Sequence, residues 1–292
     1  MKTLREFIAE AKLKEIAIGH FNISDITALH AIAKAGRETN LPVIIGLSEG
    51  ERDFVGVKQA VALVRSLREE FNQPIFINAD HTYSFEKVKK AIDAGFDAVI
   101  YDGAKLPIEE NIKITKQCVD YAREVSKREG RDILVEGELG YIGASSQMLE
   151  EIPAGAAITK ESFTTAEEAE RYVAETGVDL FSPAVGSIHG ALKHSKDPDL
   201  DIERIEEIAG ALSVPLVLHG GSGLTDENFT KAIKAGMAIV HINTEIRVIW
   251  RKAVEKTLAE KKDEVAPYKL LAPAEEAIRE QVKARLKLFA NL

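Results

Sequence analysis

Seven histidines are spread over the 292 residues, and four of them stand in short patches rich in Asp, Glu, Gly and Ser. These patches are Asn78-Ala-Asp80-His81, Gly186-Ser-Ile-His189-Gly190, His219-Gly-Gly-Ser222-Gly223 and His241-Ile-Asn243-Thr244-Glu245. Between them lie Asp102-Gly103 and Glu136-Gly-Glu138-Leu-Gly140. Three imidazoles brought together with one position left open make a catalytic zinc site, so His81, His189 and His219 are the candidate ligands. Each of them alone could equally cap a strand end through hydrogen bonds. Asp80 has the chemistry of a general acid or base beside a metal-bound substrate; its alternative role is to orient an imidazole. Glu138 and Asp102 could ligate the metal, position the histidines, or be buried and hydrogen-bonded without function.

A second chemistry is anion binding. Gly220-Gly221-Ser222-Gly223 leads toward a helix near Thr225, where glycines let backbone amides approach an anion and the helix end adds partial positive charge. Asn243 and Thr244 open the next helix in the same way. The alternative for the glycine run is a tight turn with no ligand.

The elements that must position these groups are short apolar runs alternating with helix-period segments. The runs are Ile16–Asn22, Pro42–Leu47, Pro74–Ala79, Ala98–Tyr101, Ile133–Gly137, Leu180–Val185, Pro215–Leu218 and Ile239–Ile242. They read as parallel strands covered on both faces. Helices are predicted over Asp25–Thr39, Ser84–Ala94, Thr165–Thr176 and Thr225–Ala235. Thr165 and Glu168 have capping-box spacing, and Gly95, Gly177 and Gly236 stand where helices should end. Ala91–Val99 and Ala232–Val240 echo each other as helix end, glycine turn and strand. Eight such units in this length predict a single α/β domain, a (β/α)8 barrel over residues 1–292, rather than an open doubly wound sheet. The chemistry-bearing patches then all follow strand C-terminal ends, where such barrels carry their sites, and the glycine loops fall after strands seven and eight, where barrels often bind phosphate. Adjacent strand residues face opposite ways, so Asp80 and His81 can share the rim only where the strand is ending. The long connection Gly140–Thr164 is expected to be functional or mobile. The amphipathic stretch Pro273–Phe289, with Ile278, Val282, Leu286 and Phe289 on one face, packs either on the barrel's own outer ring or on another subunit.

The totals limit the partners. A net charge of -9 argues against nucleic acid and means that an anionic substrate needs local positive groups. No apolar run approaches membrane-spanning length. The single cysteine, Cys118, lies at helical spacing from apolar neighbours and reads as a core residue in a reducing compartment. The charged N-terminus has no signal-peptide core, so the expected location is cytoplasmic.

Taken together, Gly19-His-Phe-Asn22, Pro42 to Gly50, Asn78-Ala-Asp-His81, Tyr101-Asp-Gly103, Val135 to Gly140, Val185 to Gly190, Leu218 to Gly223, Asn243-Thr-Glu245 and Arg285 to Phe289 resemble the class II, metal-dependent ketose-bisphosphate aldolases along nearly the whole chain. The resemblance implies that His81, His189 and His219 bind zinc and that Asp80 handles the proton of the substrate's C4 oxygen. Glu138 matches a glutamate near the metal and Asp102 a nearby acid. Asn22 and Ser48 match substrate-contacting positions. Gly190 and Gly220–Gly223 match the region that binds the dihydroxyacetone phosphate end with a monovalent cation, K+ or Na+. The implied reaction is reversible cleavage of a phosphorylated ketose without a lysine Schiff base, zinc polarising the ketone. Fructose 1,6-bisphosphate is the default substrate. Tagatose 1,6-bisphosphate or another sugar phosphate, and a non-catalytic relative that keeps the metal and phosphate sites, are the alternatives. A homodimer or homotetramer is implied as well.

The chain departs from the family pattern in three places. The loop after strand five usually carries Gly-Gly-x-Glu-Asp; here it reads Gly143-Ala-Ser-Ser-Gln147, and the next acids are Glu150 and Glu151. His241 stands where the family has Asn, and His20 where it has Ala. Both histidines could face the site.

Overall fold

The structure is a computed structural model that describes residues 2–143 and 146–292. Eight parallel strands close into a barrel: β1 (Ile18–Asn22), β2 (Val43–Leu47), β3 (Ile75–Thr82), β4 (Ala98–Tyr101), β5 (Leu134–Leu139), β6 (Leu180–Pro183), β7 (Leu216–Leu218) and β8 (Met237–Ile242). Each pairs with the next in sequence, and β8 returns to β1 through Ile18↔Ile239 and His20↔His241. The helices are α1 (Leu4–Leu13), α2 (Ile26–Thr39), α3 (Glu49–Val55), α4 (Val57–Phe71), α5 (Phe85–Ala94), α6 (Ile108–Glu129), α7 (Ala166–Thr176), α8 (Ile202–Ala211), α9 (Asp226–Lys234), α10 (Thr244–Glu260) and α11 (Pro267–Phe289).

Local sequence sets the helix ends. Asp25, Ser84, Thr165 and Thr225 are N-caps whose side chains accept from backbone amides one turn on, and Thr165 with Glu168 forms the full capping box. Gly95 and Gly177 cap α5 and α7 in the left-handed conformation. Gly236 follows the cap of α9, which is Ala235.

Period-2 alternation along the strands builds two apolar shells. Outward-facing residues such as Phe21, Ile45, Ile77, Val99, Val135, Phe181, Leu218 and Val240 pack under the helices. Inward-facing residues near the strand starts (Ile18, Ile44, Phe76, Ala98, Leu134, Leu180, Val217, Ile239) form a separate cluster that α1 plugs with Leu4, Ile8 and Ala11. Two residues further along the same inner faces stand His20, Gly46, Asn78, Ile100, Glu136, Ser182, His219 and His241. The barrel is therefore closed by hydrocarbon at one end and mostly polar inside at the other.

Helix α11 begins six residues before Pro273, which lies inside it. Its Ile278, Val282, Leu286 and Phe289 are buried in the chain's own core, with α2 and α10 as its main neighbours. The apolar face is thus used within the chain, and the subunit-contact alternative for it is set aside. Cys118 is fully buried. Among the described residues no helix is long and apolar enough to cross a membrane.

Candidate active site

Residues Asp80 and His81 reach the same side of the barrel by a distortion inside β3, not by the strand's ending. The β3–β4 register slips between Ala79 and Thr82, and His81 has φ +35°. One extra residue in β3 rotates the chain so that both side chains turn inward. Arg52 holds the distortion: its guanidinium donates to the carbonyl of Asp80 at 2.9 Å, to Thr82 Oγ1 at 2.9 Å and to the carbonyl of Leu47. This arginine is buried, and burial lowers its pKa.

The three imidazoles named from sequence converge. Their rings are nearly perpendicular, with interplanar angles of 80° (His81–His189), 80° (His81–His219) and 87° (His189–His219). Nδ1 of His81 lies 2.9 Å from Asp102, and Nε2 of His219 lies 2.7 Å from Glu136. Carboxylates accept only, so those nitrogens carry the protons. His81 Nε2 and His219 Nδ1 then face each other at 3.1 Å, and His189 Nε2 is buried without a partner. That contact needs a cation between the two nitrogens, either a proton on His81, whose pKa its carboxylate neighbours raise, or a metal ion. Bonds of 2.0–2.1 Å around a tetrahedral ion would separate its nitrogens by about 3.3 Å. The deepest part of the cleft has room for about 20 Å³, the size of a water or an ion. The residues therefore fit a divalent metal, with Asp102 and Glu136 fixing the imidazole tautomers.

Glu138 stands 3.4 Å from Nδ1 of His81, the same ring edge that Asp102 occupies. In this geometry it backs the imidazole alongside Asp102 instead of sharing the Nε2 face. Burial and Asp102 raise its pKa, and one carboxylate oxygen lacks a partner.

The electrostatics follow from crowding. Burial opposes charge on His81, yet Asp80, Glu138 and Asp102 hold its pKa well above the usual value. Burial also opposes charge on His219, and Glu136 raises it. Burial and the two neighbouring imidazoles keep His189 well below the usual value. Asp80 is buried too, which alone would favour the neutral acid, but His81, His241 and His20 hold it well below the ordinary carboxylate value. Asn22 donates to Asp80 Oδ2 and to Glu51, both at 2.8 Å. The other oxygen of Asp80 has no hydrogen-bond partner. An ionised carboxylate with one free oxygen at the cleft is a group able to take a proton.

The anion corner forms beside the metal ligands. Gly190, Gly220, Gly221, Ser222, Asn243 and Thr244 line the deep cleft with Asn22, Asp80 and the histidines. Gly220 has φ +68°, and a Cβ there would lie 2.4 Å from the carbonyl of Ile188, so only glycine lets this loop close on the His189 segment. Two details differ from the sequence reading. Gly221–Gly223 form a short 3-10 turn before α9, and Ser222 Oγ accepts from the amides of Asn243 and Glu245 at the start of α10. Gly223 faces Asp197 and does not line the deep cleft.

A wider cleft of about 270 Å³ adjoins, lined by Ser48, Glu49, Gly50, Asp80, His81, Tyr83, Ser146, His189, Asn243 and Arg247. Arg247 also bonds Glu51 at 2.5 Å and the carbonyl of Ser146 at 2.8 Å. The segment 140–164 folds over this side: Ile142 accepts from the amide of His189, and the two-residue strands Met148–Leu149 and Ala191–Leu192 pair. Ala144 and Ser145 of this loop lie outside the described residues. Glu150 is exposed and paired with Lys193 and His194, and Glu151 is also exposed.

Sequence reading gave no role to Glu136 and missed Arg52, Glu51 and Arg247. The first was legible, because Glu136 and Glu138 are two apart on one strand and share its inner face. The other three come from helices, where nothing in the local pattern marks them.

The chain's relatives point to the same family. A family model described as "Fructose-bisphosphate aldolase class-II" matches residues 2–291. A fructose-bisphosphate aldolase of Staphylococcus epidermidis is 38% identical over 99% of this chain and 97% of its own, and one of Geobacillus stearothermophilus 36% identical over 99% and 96%. The crystal structure of the YdjI aldolase from Escherichia coli K12 superposes with a TM-score of 0.81 at 28% identity, covering 98% of this chain and 96% of that one. With the barrel, the converging imidazoles and matches that run end to end, the chain belongs to the class-II fructose-bisphosphate aldolase family, whose members are metal-dependent lyases.

Proposed function

We propose that residues 1–292 act as one barrel domain that reversibly cleaves fructose 1,6-bisphosphate to dihydroxyacetone phosphate and glyceraldehyde 3-phosphate. The observation that carries this is the convergence of three imidazole nitrogens beside an ionised aspartate with one unpartnered oxygen. His81, His189 and His219 would hold the ion, and an all-imidazole set with an open position suits Zn2+. When bound, it would polarise the substrate ketone as a Lewis acid. Asp80 takes the proton of the C4 hydroxyl; the C3–C4 bond breaks, the C4 oxygen becomes the aldehyde, and the electron pair stays on C3 of the dihydroxyacetone phosphate half. Asn22 orients Asp80 through its 2.8 Å hydrogen bond. Asp102, Glu136 and Glu138 orient imidazoles.

A bisphosphate needs two anion sites. Gly190, Gly220, Gly221, Ser222, Asn243 and Thr244 suit the phosphate of the dihydroxyacetone half, with K+ or Na+ and the more distant Gly223 completing the corner. Arg247, the one Lys or Arg among the described residues lining the wider cleft, suits the second phosphate, with Ser48 beside it. A cytoplasmic homodimer or homotetramer is the assembly this reading carries.

The test is release of dihydroxyacetone phosphate from fructose 1,6-bisphosphate and from tagatose 1,6-bisphosphate, with zinc and then with a chelator. Chelator-sensitive release from the fructose compound is expected. Asp80→Ala should abolish turnover by at least ~100-fold while bound metal stays at the wild-type level. Preference for the tagatose compound would change the substrate. No release from either by a zinc-loaded chain would favour the non-catalytic alternative, and unchanged turnover in Asp80→Ala would remove the role given to Asp80.

A further inference from the structure

His20 and His241 are partners across the β1–β8 seam that closes the barrel. Their rings lie face to face, with centroids 3.5 Å apart and planes 2° from parallel. On its other face His241 stacks on His219 at 4.1 Å and 29°. The three imidazoles form one continuous column from the buried interior to the metal-binding cluster. We infer that His20 and His241 are positioning residues: the column fixes the ring plane of His219 and sets His241 against the free oxygen of Asp80. The inference rests on His219 being a metal ligand.

Its physical basis is the difference between a pivot and a clamp. The hydrogen bond from His219 Nε2 to Glu136 fixes one atom and leaves the ring free to rock about that bond. A flat neighbour on its face removes that rocking and so fixes where the Nδ1 lone pair points. His241 is itself held by His20, which is fully buried with Nε2 3.1 Å from Asn78. Space for His20 is provided by Gly46 on β2, where a Cβ would come within 2.1 Å of the imidazole. At the near edge of the column, His241 Nδ1 lies 3.4 Å from Asp80 Oδ1, and neither atom has a hydrogen-bond partner. His20, Asp80 and His241 also bring ligand atoms within 4.8 Å of one another, as a metal site would. Parallel rings 3.5 Å apart cannot both aim an in-plane lone pair at one ion, so this cluster is a stack and not a second metal centre.

The experiment measures zinc affinity by competition with a chromophoric chelator, using the full chain, with circular dichroism as the folding control. His219→Ala comes first: it should weaken zinc binding sharply, and a wild-type affinity there would remove the ligand role on which the inference stands. Given that loss, His20→Ala should weaken zinc binding ~10-fold, as loss of an outer-shell support does, while His20→Phe, which keeps the stack, stays within about twofold of wild type. His241→Phe, informative even if His20→Ala fails to fold, should keep zinc affinity within about twofold yet lose kcat, because the flat face remains and the polar nitrogen 3.4 Å from Asp80 is gone. Wild-type zinc affinity in His20→Ala would overturn the inference. So would equal impairment of His20→Ala and His20→Phe, which would mean that His20 acts through its ring nitrogen, and so would a large loss of zinc affinity in a folded His241→Phe.

Discussion

Replacing Glu136 tests the metal site without touching a ligand. Its carboxylate accepts from His219 Nε2 at 2.7 Å, and the two side chains are 2% and 1% exposed, so no bulk water can take its place. A hydrogen bond to a charged group contributes about 1.5–3 kcal/mol, and outer-shell partners of metal ligands typically change affinity by about 10–100-fold, which is the same range. Glu136→Gln keeps the shape and an acceptor oxygen and loses the charge, so it belongs near the lower end, ~10-fold weaker zinc binding. Glu136→Leu leaves the Nε2 proton unpartnered in a sealed interior and belongs near the upper end, ~100-fold. The sign of the pH effect adds a second check. Glu136 raises the pKa of His219 against the pull of burial, so in the wild type protons compete with metal at this ring more than in either variant. The deficit of the variants should therefore shrink as pH falls. Chelator competition at several pH values reads both quantities. Wild-type zinc affinity in a folded Glu136→Leu protein would refute the reasoning, because it would mean that the orientation of His219 does not matter to the ion.

Two other outcomes follow from the same geometry. Arg247→Met should raise KM for fructose 1,6-bisphosphate ~10-fold, the low end for a charge-assisted bond at a half-exposed site, and leave proton exchange of dihydroxyacetone phosphate alone unchanged; an effect on the exchange reaction would assign Arg247 to the other phosphate. The metal-free protein should be most stable near pH 6.5. His20, at about 4, with His189 and His241 is held below the ordinary 6.5, so the unfolded chain takes up their protons first and stability falls as pH drops through that window. His81 and His219 are held above it, so their contribution is complete below 6.5 and is lost as pH rises through their folded values. Zinc should remove the alkaline decline, because coordinated imidazoles stay neutral and have no second proton to lose. Melting curves of the metal-free protein that rise steadily above pH 6.5 would contradict these assignments.

The barrel was legible because its strands are short apolar runs with helix-period segments between them, and the caps at Thr165, Ser84 and Asp25 mark the boundaries. Strand ends were less legible where chemistry replaces hydrocarbon. The apolar runs stop at Ala79 and Gly137, yet β3 runs to Thr82 and β5 to Leu139, because Asp80, His81 and Glu138 are strand residues with polar partners inside the barrel. The histidine cluster could be named because each member follows a recognisable strand. How Asp80 and His81 come to face the same way could not, since a one-residue slip against β4 depends on Arg52 from a helix nearly thirty residues earlier. His20 and His241 stood out in sequence as departures from the family pattern, but their contact is a register fact of the closing seam.

That seam also bears on why such a polar interior is tolerated. The plugged inner cluster under α1 and the outer shell under the helices are apolar without interruption, so the fold does not depend on the central polar layer for its cohesion. The cost is concentrated there instead. Asp80 Oδ1, Glu138 Oε2, His189 Nε2 and both nitrogens of His241 are buried without partners, and each such group costs about 1–3 kcal/mol. Asp80, His189 and His241 line one cleft, and a metal ion and a sugar bisphosphate would offer them the cation, hydroxyls and oxyanions they lack. Part of the free energy of binding metal and substrate is therefore relief of strain already present in the folded chain. On this argument, removing an unpartnered group such as His189 should leave the metal-free protein as stable as before or more so, while the metal-bound form alone loses stability.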